Sequence, residues 1–199
     1  MNLRDFRRAG HFPSLLCAFL YFDVSFMVWV LVGALGSSIA AQLWPKPDDV
    51  SLEEHLRSID AWRTTSGLAN VRAPVSIDLS VLHWPSLVEV VTPGSLLAIL
   101  CINVLHISPW NVSEHLLAGA PRLLHAEGRL FVYGPFKRAG EHTSPSNADF
   151  DASLRNGNPE WGVRDLDELG ALAERSGLRL TEAVPMPANN FVLVFMHLA

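Results

Sequence analysis

Cysteine is almost missing from this chain. Cys17 and Cys101 are the only two in 199 residues, too few for a disulfide framework, so a reducing, cytoplasmic setting is expected. Charge is scarce as well: charged residues make up 18% against 49% hydrophobic, and the formal net charge is -5. A nucleic-acid binder held by phosphate contacts is therefore not expected. None of the eight histidines stands at a zinc-site spacing from cysteine or acid, so no metal is predicted. A P-loop and a G-x-S-x-G elbow are both absent, and so is the G-x-G-x-x-G fingerprint of a nicotinamide-dependent reductase. No internal repeat and no low-complexity tract is present. What remains is one α/β domain, long enough to bury most of its apolar surface.

The chain is organised around Leu96–Phe136. Leu96 to Val104 is a nearly continuous apolar run, the pattern of a central parallel strand covered on both faces. Asn111 with Glu114 reads as a capping box, and Leu116, Leu117, Ala120, Leu123 and Leu124 give the following helix one apolar face. Gly128 would end that helix, and Arg129 to Tyr133 is the next strand. Such a unit is a right-handed parallel βαβ crossover, whose ligands gather at the carboxyl ends of the strands.

On either side of this unit the reading is uneven. Arg4, Arg7 and Arg8 precede an apolar region, and residues 24–45 carry no charge. That stretch is long enough to span a bilayer. The favoured alternative is a buried strand at Phe26–Leu31 with part of a helix at Ser37–Trp44, because the sheet wants another strand. Residues 1–45 are thus set apart from a domain over 46–199. Ser51 and Glu54 form a second capping box, opening a helix with Leu52, Leu56, Ile59 and Trp62 on one face and Gly67 at its end. Val71 to Leu79 is predicted as a strand, and 83–95 as a loop or short hairpin. Residues 137–162 are rich in Asn, Asp, Ser, Gly and Pro and read as a long loop, with Phe150 and Trp161 arguing that it packs. Asp165 with Glu168 opens a last helix carrying Leu166, Leu169, Leu172 and Ala173, ended by Gly177. Strands at 179–184 and 191–196 close the chain as an antiparallel pair.

Six residues stand out for chemistry. Asp48 and Asp49 precede a helix; either could bind ribose hydroxyls, or be a solvated acid at a helix N-terminus. Asp78 could accept from an adenine amino group or simply form a turn. Asn103 and His106 lie just past the central strand, where the histidine is a general base or a structural hydrogen-bonding group. Tyr133 ends the next strand. Asn111-Val-Ser113 matches a glycosylation acceptor, but the cap reading is preferred.

From about Trp44 onward the segments LCINVLHISPW, VYGPF, SPSNADFD, NPEWGVRD and MPANN follow in order. On these the chain resembles the methyltransferase-like 26 family of small class I methyltransferase-like proteins. The resemblance implies a Rossmann-like α/β sheet, mostly parallel with its last strand antiparallel, and S-adenosylmethionine as cofactor. It puts the ribose-side acid on Asp48 or Asp49 and the acid after strand three on Asp78. Asn103 would line the cofactor pocket, and His106 and Tyr133 would orient or deprotonate a small-molecule or protein methyl acceptor. The family's acid followed by Ser-Gly-x-Gly-Gln-His has no counterpart in residues 24–44, where Gly33 and Gly36 alone remain, so the first strand–helix unit reads as degraded. Two expectations follow: a methyltransferase-like protein impaired in binding its cofactor, or a non-catalytic interaction protein, with membrane attachment through the apolar N-terminal segment as a less favoured addition.

Overall fold

The computed structural model describes residues 52–67, 69–82 and 91–198. The chain divides into two compact units, residues 1–76 and 77–199. Residues 26–44, Asp48, Asp49, the cap at Ser51 and most of 83–95 lie outside the described residues.

In the first unit, helix α1 spans Leu52–Thr65. Gly67 takes φ +63° just past its end, as expected of a residue that must enter the left-handed region. Arg63 Nε donates to Asp60 Oδ1 at 2.6 Å one turn back, and Thr64 and Thr65 return their hydroxyls to the carbonyls of Asp60 and Ala61. On the expected apolar face, Ile59 and Trp62 are exposed. The strand predicted at 71–79 does not form: residues 71–78 enter no ladder. Apolar residues alternate there, but Pro74 removes a donor from the middle of the run.

Among the described residues, the second unit holds a six-stranded sheet. Its strands are β1 (Leu96–Ile102), β2 (Leu124–Arg138), β3 (Glu141–His142), β4 (Arg164–Asp165), β5 (Leu178–Met186) and β6 (Asn190–His197). The order is β1-β2-β6-β5, with the two-residue strands β3 and β4 on the end of β2. β1 runs parallel to β2, and β6 runs antiparallel to both β2 and β5, as the sequence predicts. β1 was expected at the centre, covered on both faces. Among the described residues it stands at the end of the ladder, with Leu97 64% and Leu100 42% exposed.

The crossover helix α2 is Trp110–Leu123. The Asn111–Glu114 capping box is not formed. Pro109 occupies the cap with extended backbone, and the Val112 amide bonds its carbonyl at 3.1 Å. Gly128 does not end this helix either: α2 stops at Leu123 and β2 starts at once. Gly128 serves the sheet instead, at the irregularity where the β1–β2 register shifts between Leu96 and Ala98. A Cβ there would stand 2.6 Å from the Leu96 carbonyl oxygen, so only glycine lets the strands approach.

The stretch 137–162 is not a loop. It makes the β2–β3 turn and then helix α3, Pro145–Gly157. Ser144 caps that helix, its Oγ accepting from the Asn147 amide at 3.2 Å, with Pro145 in the first turn. The buried face is Asn147, Asp151 and Leu154, so the helical period is carried mainly by polar side chains. Helix α4, Leu166–Arg175, begins as expected on Asp165, whose Oδ1 accepts from the Asp167 amide, and ends at Gly177.

The core lies on one face of the sheet. Leu130 and Val132 of β2 and Leu193 and Phe195 of β6 pack with Leu117 of α2 and Leu169 of α4. Ser113 of α2 is fully buried, and its hydroxyl has no hydrogen-bond partner among the described residues. A buried, unmatched hydroxyl costs about 1–3 kcal/mol, and alanine is the better helix former. Ser113→Ala is therefore expected to raise stability by about 1 kcal/mol, read as a higher urea midpoint at unchanged slope.

Candidate functional site at the carboxyl ends of β1 and β2

β1 and β2 end side by side. The Asn103 amide donates to the Tyr133 carbonyl at 2.9 Å, and Asn103 then takes φ +56°, turning the chain off the strand. A short 3-10 turn, Leu105–Ile107, follows and carries His106. The imidazole faces Gly134: a Cβ on that glycine would stand 3.2 Å from His106 Nδ1 and 3.7 Å from Asn103 Oδ1. Glycine in β2 thus makes the room that brings Asn103 and His106 together.

His106 is buried, and its ring meets Phe150 of α3 edge-on, with centroids 5.4 Å apart and planes at 67°. Burial, reinforced by the positive charge of Arg164, lowers its pKa to about 4. The imidazole is therefore neutral near pH 7, a hydrogen-bonding group and a weak base.

The turn is held from behind by residues 158–164. The Gly162 amide donates to the His106 carbonyl at 2.9 Å. Arg164 donates through Nε to the Leu105 carbonyl at 3.0 Å, and through Nη2 to the carbonyls of Ser108 and Glu160. Its guanidinium also lies over the Trp110 ring, 5.7 Å from the centroid. Behind Arg164, buried Asp151 of α3 takes the Val163 amide on Oδ1 at 2.6 Å. Its Oδ2 meets Lys137 and Arg155 at 3.2 Å each, and His142 Nε2 at 3.4 Å. Burial alone would raise this carboxyl, but the Val163 amide and the Arg155 and Lys137 side chains outweigh it and hold it below its ordinary value.

Tyr133 precedes Gly134, so strand alternation turns its side chain to the other face of β2 from His106. There it is buried, and its hydroxyl accepts from Asn190 Nδ2 at 3.1 Å. Asp78 is exposed and forms a turn, Oδ1 accepting from the Ser80 amide at 2.8 Å; the Ser80 hydrogen bonds hold its carboxyl below the ordinary value. The next residue, Leu79, offers its carbonyl to His115 Nδ1 of α2 at 3.0 Å, which ties the Asp78 segment to the crossover helix. Among the described residues no group of His, Cys, Asp and Glu could hold a metal, and no helix is long and apolar enough to cross a membrane. The candidate anchor, residues 1–45, lies outside them. Cys101, in β1, is a buried thiol whose pKa burial raises to about 12.

All five sequence segments meet in this region: Asn103 and His106, Gly134, Phe150 and Asp151, Gly162 and Arg164, and Asn189 and Asn190. Asn147 Nδ2 joins the last of them, donating to the Asn189 carbonyl at 3.0 Å. Sequence reasoning missed Arg164, Asp151 and Phe150 as site residues. Phe150 carries a packing signal in the sequence; Arg164 and Asp151 carry none beyond membership of these segments.

A family model described as a protein of unknown function, DUF938, matches residues 37–197. The chain belongs to that family. Solved structures similar to this DUF938 chain include the mitomycin 7-O-methyltransferase MmcR, with TM-score 0.58 and 20% identity over 72% of this chain and 39% of that one. Another is the O-methyltransferase NcsB1 from neocarzinostatin biosynthesis, in complex with S-adenosylmethionine and 2-hydroxy-5-methyl naphthoic acid, with TM-score 0.56 and 17% identity over 74% and 40%. A third, described as a pericyclic reaction enzyme, has TM-score 0.56 and 15% identity over 71% and 34%. The DUF938 chain spans about two fifths of the length of the first two. These likenesses establish a Rossmann-like α/β fold.

Proposed function

We propose that this protein is an S-adenosylmethionine-dependent methyltransferase-like protein of the methyltransferase-like 26 type, impaired in binding its cofactor. The observation that carries the reading is the meeting of Asn103 and His106 at the carboxyl ends of two parallel strands, where such folds bind ligands. The residues present fit the cofactor at this point. Asn103 is half-exposed where the chain leaves β1, a neutral side chain with both donor and acceptor to offer a nucleoside. Asp78 is exposed on a segment tied to α2, and would face the adenine. When bound, S-adenosylmethionine supplies an electrophilic methyl group. His106, neutral and fixed against Gly134, would hold an acceptor by a hydrogen bond, since a base this weak takes little charge from a hydroxyl near pH 7. Tyr133 would act from the other face of β2, through the polar contact its hydroxyl shares with Asn190.

Residues 24–44 lack the acid and the Ser-Gly-x-Gly-Gln-His that would grip the methionine half, so the nucleoside half carries the affinity. S-adenosylhomocysteine is expected to stabilise the protein in a thermal melt. A hundredfold excess over Kd corresponds to about 2.7 kcal/mol. Adenosine should retain affinity to within about tenfold, and Asp78→Ala, on an exposed turn, should weaken both ligands. If neither ligand shifts the melt, the cofactor reading fails and a non-catalytic interaction protein is the better description.

A further inference from the structure

We propose that Arg164 and Asp151 are positioning residues for His106, forming a latch that fixes the 105–108 turn from behind. The proposal rests on the reading of His106 as the acceptor-side group, and its test observes His106 directly.

The turn cannot hold itself. It is three residues of 3-10 helix whose own backbone closure is Ile107 amide to Val104 carbonyl at 3.2 Å. The Ser108 hydroxyl adds bonds to the Val104 and Leu105 carbonyls. Further hydrogen bonds to the turn come from Gly162 and Arg164. The Arg164 guanidinium spans the turn, taking the Leu105 carbonyl at one end and the Ser108 carbonyl at the other, and ties both to Glu160. Such a span needs a planar fork of donors, which lysine lacks. Gly162 presses against the middle, with its amide on the His106 carbonyl.

The strap is itself clamped. Gly162 takes φ +149°, and a Cβ on it would stand 2.5 Å from Arg155 Nη2 and 2.7 Å from Asp151 Oδ1. Asp151 grips the next amide, Val163, while Lys137 of β2 and His142 of β3 fix the carboxylate from the sheet side. Phe150, one residue before Asp151, touches the imidazole itself. Adjacent residues of α3 therefore set both the ring and the strap behind it. Arg164 has a second role because its charge bears on a buried imidazole: it favours the neutral form.

The test is NMR on the whole chain, following the His106 ring protons through a pH titration and amide exchange at Gly162 and Ile107. Exchange is referenced to Phe195 in the core, so that local opening is separated from global unfolding. Arg164→Lys keeps the charge but not the fork. It should speed exchange at both amides about tenfold relative to Phe195 while His106 still titrates low. Arg164→Gln removes the charge and should move the His106 titration about one pH unit higher. Should either Arg164 variant fail to fold, Asp151→Asn provides the second reading: faster exchange at Gly162 and a changed ring-current shift on His106 from Phe150. Absence of S-adenosylhomocysteine stabilisation from the wild type would count against the cofactor reading and leave the latch intact. Wild-type exchange at Gly162 in both Arg164→Lys and Asp151→Asn would overturn the latch, as would an unmoved His106 titration in Arg164→Gln.

Discussion

Phe195→Ala is expected to lower the unfolding free energy by about 3–5 kcal/mol, the usual cost of removing a buried phenylalanine. Phe195 is fully buried at the middle of β6 and pairs with Leu130 of β2 on one side and Leu180 of β5 on the other. All three side chains point to the face packed by α2 and α4. Domains of this size are stable by about 5–15 kcal/mol, so the variant would stand near its unfolding threshold. Phe191→Ala is the matched control. Phe191 is half-buried, opposite Gly134 at the start of the same strand, and should cost about half as much. Urea unfolding of both variants reads the difference. A loss below about 1 kcal/mol for Phe195→Ala would mean that this face is not the principal core.

The second large effect is a fall in stability with acid. His106 is neutral in the fold, its pKa lowered to about 4 first by burial and then by Arg164. In the unfolded chain it titrates near 6.5. Above about pH 6.5 it is neutral in both states and contributes no pH dependence. Between about pH 6.5 and 4 the unfolded chain takes up a proton that the folded one refuses, so stability declines as pH falls, by about 3 kcal/mol across the window. Asp151 acts lower down. Its carboxyl is held below the ordinary value, so the stability it gives is present above its unfolded pKa and lost only in stronger acid. Urea unfolding at pH 7 and pH 4.5 should show the decline, and His106→Gln, which cannot titrate, should flatten most of it. An equal decline in His106→Gln would assign the acid sensitivity to other groups.

How legible these features were depended on which atoms carried the signal. β5, β6 and α4 could be read because side chains carry theirs: alternating apolar residues, a capping Asp165 and a closing Gly177. Helix α3 could not, because Asn147 and Asp151 occupy positions where the periodic signal looks for apolar residues. The segment 71–79 misled in the opposite way, with a strand's alternation around a proline that cannot join a ladder. At the site, Asn103 and His106 were legible from their place after β1. Arg164 was not: its partners at Leu105 and Ser108 are backbone carbonyls 59 and 56 residues away, and a carbonyl leaves no mark on the sequence. Asp78 forms the turn that was one of its two readings, which leaves its role toward adenine to the binding experiment.

The place of β6 has a consequence for how the protein is made. β6 lies between β2 and β5, yet follows both in the chain. While the ribosome is still adding residues 190–197, β2 and β5 have no strand between them to join them, and Leu130 and Leu178 lack Phe195 and His197 across the ladder. At about 5–20 residues per second, a nascent chain spends seconds between completing β2 and completing β6, with unpaired backbone along an apolar strand. That interval is where a chaperone would be needed, and where a stalled or truncated chain would aggregate.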